Sequence, residues 1–301
     1  MISPESQEYI PKLYESPAFG ASGCFDLEGL RQGMATRREP TNTSIWCRRT
    51  KIDDIPCEWV LAACADPDRR MLYLHGGGYV SGSGAFYLTM AGHISVAAQC
   101  AVLLPDYRLA PEHRFPAAIE DCIRSHGWLT SLGPAGPVPA KATFIGGDSA
   151  GGGLTLATLL ALRDRQLPLP KAAITLSAFT DLTLTGESIR SQEKFDPIMS
   201  PKCLPEFVNL YLGETDPRNP LASPLFGNYT GIPPLLIQVG EYEIIRDDST
   251  QVAANARAAG VDVTLEVWEG MIHVFQSHEP LLPEGREAIQ HIAAFMRQHL
   301  A

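Results

Sequence analysis

Two glycine-rich turns, each at the end of an apolar run, restrict this chain more than any other feature. The first, His75-Gly76-Gly77-Gly78, closes the run Met71-Leu72-Tyr73-Leu74. The second, Gly147-Asp148-Ser149-Ala150-Gly151, follows Ala142-Thr143-Phe144-Ile145. A glycine turn offers bare backbone N–H groups to a developing oxyanion, and Gly-x-Ser-x-Gly between a strand and a helix presents a serine nucleophile. With 26 Gly and 8 His in 301 residues, His-Gly-Gly-Gly arises by chance in roughly one chain in 200, so the first turn is a signal in itself. The serine pentapeptide arises in roughly one chain in ten and draws its weight from context. A Leu- and Ala-rich stretch from Gly152 to Arg165, stopped by Pro168, supplies the helix that such an elbow requires. In this order, the two turns point to a serine hydrolase on an α/β sheet.

The rest of the chain reads as strands alternating with helices. The strand candidates are Ile45–Thr50, Cys57–Ala63, Met71–His75, Ala101–Leu104, Ala142–Ile145, Ala173–Ser177, Leu235–Val239 and Val263–Trp268. Helical patterns lie near Tyr87–Gln99, Pro116–Thr130, Gly152–Arg165, Asp247–Ala259 and Glu284–His299. Such alternation predicts a mainly parallel sheet covered on both faces, with the first two strands as an antiparallel edge. Two segments break the rhythm. The first forty-odd residues are polar and interrupted by Pro4, Pro11, Pro17, Gly20 and Gly23, with room for one or two short helices. Residues 183–231 carry Pro197, Pro201, Pro205, Pro217, Pro220 and Pro224, and are too long for a bare loop in a compact domain. The expected division is therefore a lid from residues 1–45 and 183–231, over a catalytic core from 46–182 and 232–301.

Charge and cysteine content exclude other classes. A net charge of −10, with no basic run longer than Arg37-Arg38 or Arg48-Arg49, argues against a nucleic-acid partner. No apolar run approaches a membrane span, and the first residues have neither a basic nor an apolar leader region. Seven cysteines, Cys24, Cys47, Cys57, Cys64, Cys100, Cys122 and Cys203, form no Cys-x-x-Cys and read as free thiols in a reducing, cytoplasmic compartment. No metal site or organic cofactor is expected. A small-molecule substrate is the expected partner, and a homodimer is left open.

The serine needs a base, and the base an orienting acid, in the chain order Ser, Asp/Glu, His. Of the late histidines, His273 directly follows the last strand and the turn Glu269-Gly270-Met271 and is taken as the base, with His278 next. His291 and His299 fall in the final helix, far from a strand end. Glu241, Glu243, Asp247 and Asp248 follow the preceding strand; Glu243 is taken as the acid, with Asp247 next, because Asp247 and Asp248 open a helix and suit its dipole.

With these residues in place the chain resembles the hormone-sensitive-lipase family of bacterial carboxylesterases, from about Leu72 to Gln276. The resemblance rests on His75–Tyr79, on Asp106-Tyr107-Arg108-Leu109-Ala110-Pro111-Glu112, on Gly147–Gly152, on Asp196-Pro197-Ile198 and on the segment around His273. It implies an α/β-hydrolase fold, Ser149 as nucleophile, and an oxyanion hole from the N–H groups of Gly77, Gly78 and Ala150. His75, Tyr79, Asp148 and Asp196 become supporting residues, His75 shaping the glycine turn rather than acting as a base, and Arg108 is expected to pair with Glu112. The family's acid is commonly Asp in an Asp-Pro-Leu context; here Glu243-Ile244-Ile245 stands in that place. A carboxylate one methylene longer can still orient an imidazole. The expected activity is hydrolysis of short-chain carboxylic esters. An amidase or arylformamidase on the same residues is the alternative, and a receptor on a hydrolase scaffold is disfavoured by the complete residue set.

Overall fold

Residues 71–74 alternate between two apolar clusters: Met71 and Tyr73 join one, Leu72 and Leu74 the other. That two-residue period is the mark of a strand buried on both faces. The computed structural model describes residues 2–15, 25–40, 42–279 and 281–300. Pro17, Gly20, Gly23 and Cys24, on which the sequence reading drew, lie outside them. The strands are β1 (Ile45–Ile52), β2 (Ile55–Ala62), β3 (Asp66–Leu74), β4 (Cys100–Pro105), β5 (Ala142–Asp148), β6 (Ala172–Leu176), β7 (Leu235–Tyr242) and β8 (Val263–Ile272). They form one sheet in the order β1-β2-β4-β3-β5-β6-β7-β8. The β1–β2 and β2–β4 pairs are antiparallel and all others parallel, so the expected antiparallel edge is present.

The helices are α1 (Pro4–Glu15), α2 (Leu27–Met34), α3 (Leu88–Ala98), α4 (Ala117–Ser131), α5 (Ala150–Asp164), α6 (Ser188–Ser191), α7 (Leu204–Leu212), α8 (Arg246–Ala258) and α9 (Pro283–Gln298). Ile94 of α3 and Ile292 of α9 pack with Met71, Phe144 and Leu236 on one sheet face. Ile119 of α4, Leu159 of α5 and Val252 of α8 pack with Leu72, Ile145 and Ile237 on the other. Pro11 does not break the N-terminal segment: it sits inside α1, while Pro4 begins that helix, where no N–H is needed.

The two irregular segments meet each other. Tyr14 of α1 donates its hydroxyl to the Phe195 carbonyl at 2.8 Å. The Phe25 and Phe207 rings meet edge to face, with centroids 5.0 Å apart. Arg31 of α2 ties this assembly to the core. It donates to the Val80 and Ala110 carbonyls, each at 2.8 Å, and forks onto Glu112 at 2.6 and 2.7 Å. Glu112 is thus taken by Arg31, and the expected Arg108–Glu112 pair is replaced. Arg108 instead binds the buried Asp121, at 2.8 Å, across the first turn of α4.

Candidate active site

Strand β5 runs on to Asp148, and α5 starts at Ala150, two residues earlier than the Leu/Ala pattern suggested. Ser149 is the single residue between them. Its backbone stands at φ 51° and ψ −121°, a conformation L-residues avoid. The surroundings hold it there: its N–H donates to the Leu176 carbonyl at 2.8 Å, and its carbonyl accepts from Phe179 and Gly153. Gly151 must lack a side chain, because a Cβ would run into the Leu74 and His75 carbonyls. Close approach of β3 to α5 brings the two sequence turns side by side.

The glycine turn is shaped from beneath. His75 is buried, stacks on Tyr107 with centroids 4.2 Å apart, and donates from Nδ1 to the Gly76 carbonyl at 2.8 Å. Burial pulls its pKa down to about 4, so the ring is neutral at pH 7. Tyr107, part of the long motif after β4, donates its hydroxyl to the His75 carbonyl at 2.6 Å. Asp148 joins the two turns: it accepts from the Gly76 N–H at 3.1 Å and from the hydroxyls of Tyr73 and Tyr87 at 2.9 and 2.8 Å. Burial pushes its carboxyl up to about 6, with the tyrosine bonds opposing. Gly77 and Gly78 have φ of +119° and +63°, and a Cβ on Gly78 would collide with the Phe207 ring. Tyr79 bonds the Phe179 carbonyl at 2.8 Å and stacks on Tyr211 at 4.0 Å, fixing the turn against α7.

On the other side, His273 Nδ1 lies 3.0 Å from Glu243 Oε2, and both residues are buried. Glu243 Oε1 accepts from Ser177 Oγ at 2.7 Å and from the Gly240 N–H at 2.5 Å. Burial pulls the His273 imidazolium down. The bond to Glu243 and the negative charges of Glu243, Asp196 and Asp148 outweigh burial and raise its pKa from the ordinary imidazole value. Asp196 accepts from the Ile198, Met199 and Ile244 N–H groups, each at 2.9 Å, so it ties the inserted segment to the residue after Glu243. Ser149, Gly77, Gly78 and His273 line one cavity of about 450 Å³. Tyr9 and Leu13 of α1 roof it together with Ile198, Met199 and Phe207 of the insertion.

The residues held together in this way invite comparison with known proteins. A family model described as alpha/beta hydrolase fold matches residues 71–277. This chain belongs to the α/β-hydrolase family. It is 44% identical over 240 residues to an acetyl-hydrolase of Streptomyces hygroscopicus, covering 80% of this chain and 79% of that one. It is 31% identical over 301 residues to an ethyl acetate hydrolase of Pseudomonas putida, covering 98% and 91%. Among solved structures, an esterase from the bacterial hormone-sensitive lipase family superposes with a TM-score of 0.89 at 40% identity, over 100% of both chains. EstE5, soaked with p-nitrophenyl butyrate, gives 0.92 at 41% identity over 99% of both. The hydrolase thus belongs to the hormone-sensitive-lipase branch that its motifs resembled.

Other expected features of the hydrolase differ in the structure. Residues 269–271 are not a turn: β8 continues to Ile272, pairing Tyr242 with Ile272 past a register shift. Asp247 and Asp248 do open α8, but they face the loops after β6 rather than serving only the helix end. Asp247 accepts from Ser188 N–H at 2.8 Å, and buried Asp248 from the N–H groups of Thr180 and Asp181 at 2.6 and 2.8 Å. Burial pushes Asp248 up to about 8, against those bonds. His278 Nδ1 meets Tyr9 Oη at 3.0 Å, and burial pulls its pKa down to about 4. His291 pairs with Glu266, and His299 follows α9 and packs on Phe295. Sequence reading missed Ser177, Tyr73, Tyr87 and Arg31. Each reaches a partner 49 or more positions away, and no local motif marks them.

Proposed function

We propose that this hydrolase is a serine carboxylesterase cleaving short-chain esters through an acyl-enzyme, with Ser149 as nucleophile, His273 as base and Glu243 as orienting acid. The observation that carries the proposal is the 3.0 Å contact between His273 Nδ1 and Glu243 Oε2, in a cavity shared with Ser149 and the glycine turn. An ionised carboxylate only accepts, so Nδ1 holds the proton and Nε2 is left as the lone-pair acceptor. Nε2 takes the Ser149 proton as Oγ attacks the ester carbonyl. The N–H groups of Gly77, Gly78 and Ala150 hold the resulting oxyanion, Ala150 heading a helix whose first N–H groups have no intrahelical partner. The imidazolium then protonates the departing alcohol, and water repeats the sequence on the acyl-enzyme.

The proposed lid is residues 1–45 with 183–231, over a core of 46–182 and 232–301. Its support is the roof that α1 and the insertion build over the cavity. At about 450 Å³ that cavity is at the small end of ligand sites, which run from roughly 300 to 1,000 Å³. Hydrolysis should therefore favour acyl chains of roughly six carbons or fewer. A p-nitrophenyl ester series of increasing length, with Ser149→Ala as control, measures this. Faster hydrolysis of emulsified long-chain triglyceride than of a butyrate ester would contradict it.

Among the described residues, no helix is long and apolar enough to cross a membrane. We also place the enzyme in the cytoplasm. Free Cys57, Cys100 and Cys122, whose thiols burial pushes well up, suit a reducing compartment.

The base must be neutral to accept a proton, so activity belongs to the deprotonated form, above the pKa. That pKa is raised, which moves the acidic limb towards alkali. For a neutral ester, kcat/KM should rise with a midpoint on the alkaline side of an ordinary imidazole and then level off. A rate already maximal at pH 5, in protein shown to be folded there, would remove His273 as the titrating base.

A further inference from the structure

Ser177 lies just past β6 at φ +50°, a left-handed conformation that glycine adopts freely and serine does not. It is fully buried. Its N–H donates to the Gln238 carbonyl at 2.8 Å, which anchors it beside β7. Its hydroxyl touches two groups, Glu243 Oε1 at 2.7 Å and the Val274 N–H at 3.0 Å. Chemistry fixes the direction of both bonds. An N–H can only donate, so Oγ accepts from Val274; a carboxylate can only accept, so the hydroxyl proton goes to Glu243. One hydroxyl therefore joins the acid to the residue directly after the base.

We propose that Ser177 is a positioning residue for the reaction, holding Glu243 Oε2 towards His273 and fixing the spacing of the two loops. This rests on the reading of Glu243 as the acid. Glu243 has one more rotatable bond than an aspartate would have, and hence more rotamers in which its carboxylate faces away from His273. Ser177 Oγ and the Gly240 N–H together pin Oε1, which leaves Oε2 for the imidazole. The hydroxyl is the part of this clamp that also grips the histidine loop.

Ser177→Gly tests the proposal, because glycine suits the backbone conformation and removes only the hydroxymethyl group. With a soluble butyrate ester, kcat should fall roughly ten- to a hundredfold at little change in KM, the scale of one hydrogen bond to a charged group. The acidic limb of kcat/KM should move down, on the order of half a pH unit, since a Glu243 no longer held towards His273 supports the imidazolium less. Asp196, Asp148 and His278, which also act on His273, are unchanged in the variant. Introduced into Glu243→Gln, the same substitution should cost less than about threefold more, because residues acting through one carboxylate are not additive. An unchanged kcat and pH limb in folded Ser177→Gly overturns the proposal, as does a full additional loss in the double variant. If Glu243→Gln alone keeps normal turnover, the acid assignment itself fails, which separates the two outcomes.

Discussion

Replacing Ser149 by alanine is expected to lower kcat by on the order of 10⁶-fold, since removing the nucleophile from a triad costs about as much as removing the whole unit. The fold should survive. Ser149 is nearly buried, but its backbone bonds, to Leu176, Phe179 and Gly153, do not involve the hydroxyl. Alanine carries the same Cβ into the same strained φ, so the substitution adds no new backbone penalty. A stability change within about 1 kcal/mol is expected. Residual catalysis should remain above the water rate, because the N–H groups of Gly77, Gly78 and Ala150 are untouched. Steady-state hydrolysis of p-nitrophenyl butyrate and a thermal melt measure the two halves of this expectation. A p-nitrophenyl phosphonate should leave its phosphonyl group on the native protein, with release of p-nitrophenolate, and should not modify the variant. Turnover within a hundredfold of the native rate would remove Ser149 as nucleophile.

What the sequence showed of this enzyme depended on the range over which each signal acts. Buried parallel strands are apolar along their whole length, so Ala101–Leu104 and Ala173–Ser177 stood out and the structure places strands there. Strand ends were less visible. Strand β3 begins at Asp66, in a charged stretch whose side chains are only half buried, and β8 runs through Glu269 and Gly270 because its partner β7 continues beside it. Hydrogen bonding across the sheet, not hydrophobicity, sets those limits. The glycine turn and the elbow were legible because backbone geometry demands particular residues at consecutive positions. The links between distant loops were not. Asp121 competes for Arg108 from the next helix, and Arg31 reaches Glu112 across 81 positions. A motif read as a line of neighbours suggested the wrong ion pair, because both partners had better-placed acceptors or donors in space. Ser177 shows the same limit at the site itself: a serine after an apolar strand carries no mark of the carboxylate it will meet 66 residues later.

Glu243→Gln should lower kcat by roughly 10³- to 10⁴-fold, although it changes neither shape nor volume. The loss follows from hydrogen-bond direction. In the native site Glu243 accepts three times, from Ser177 Oγ, the Gly240 N–H and His273 Nδ1. A glutamine has one oxygen and one NH₂ group to place there. The Ser177–Gly240 side supplies two donors, so the oxygen goes to that side and the NH₂ group turns to His273. Nδ1 must then accept, the ring proton moves to Nε2, and the imidazole faces Ser149 as a donor that cannot take its proton. Loss of the carboxylate charge also withdraws the main support for the imidazolium, so the remaining activity should reach its plateau at lower pH than in the native enzyme. Asp247→Asn provides the contrast. That side chain accepts from the Ser188 N–H and lies beside Arg246, away from His273, and its loss should change kcat less than about fivefold. Measuring kcat and the acidic limb for both variants decides between the two acids. A large loss in Asp247→Asn with a small one in Glu243→Gln would transfer the orienting role, and with it control of the His273 tautomer, to Asp247.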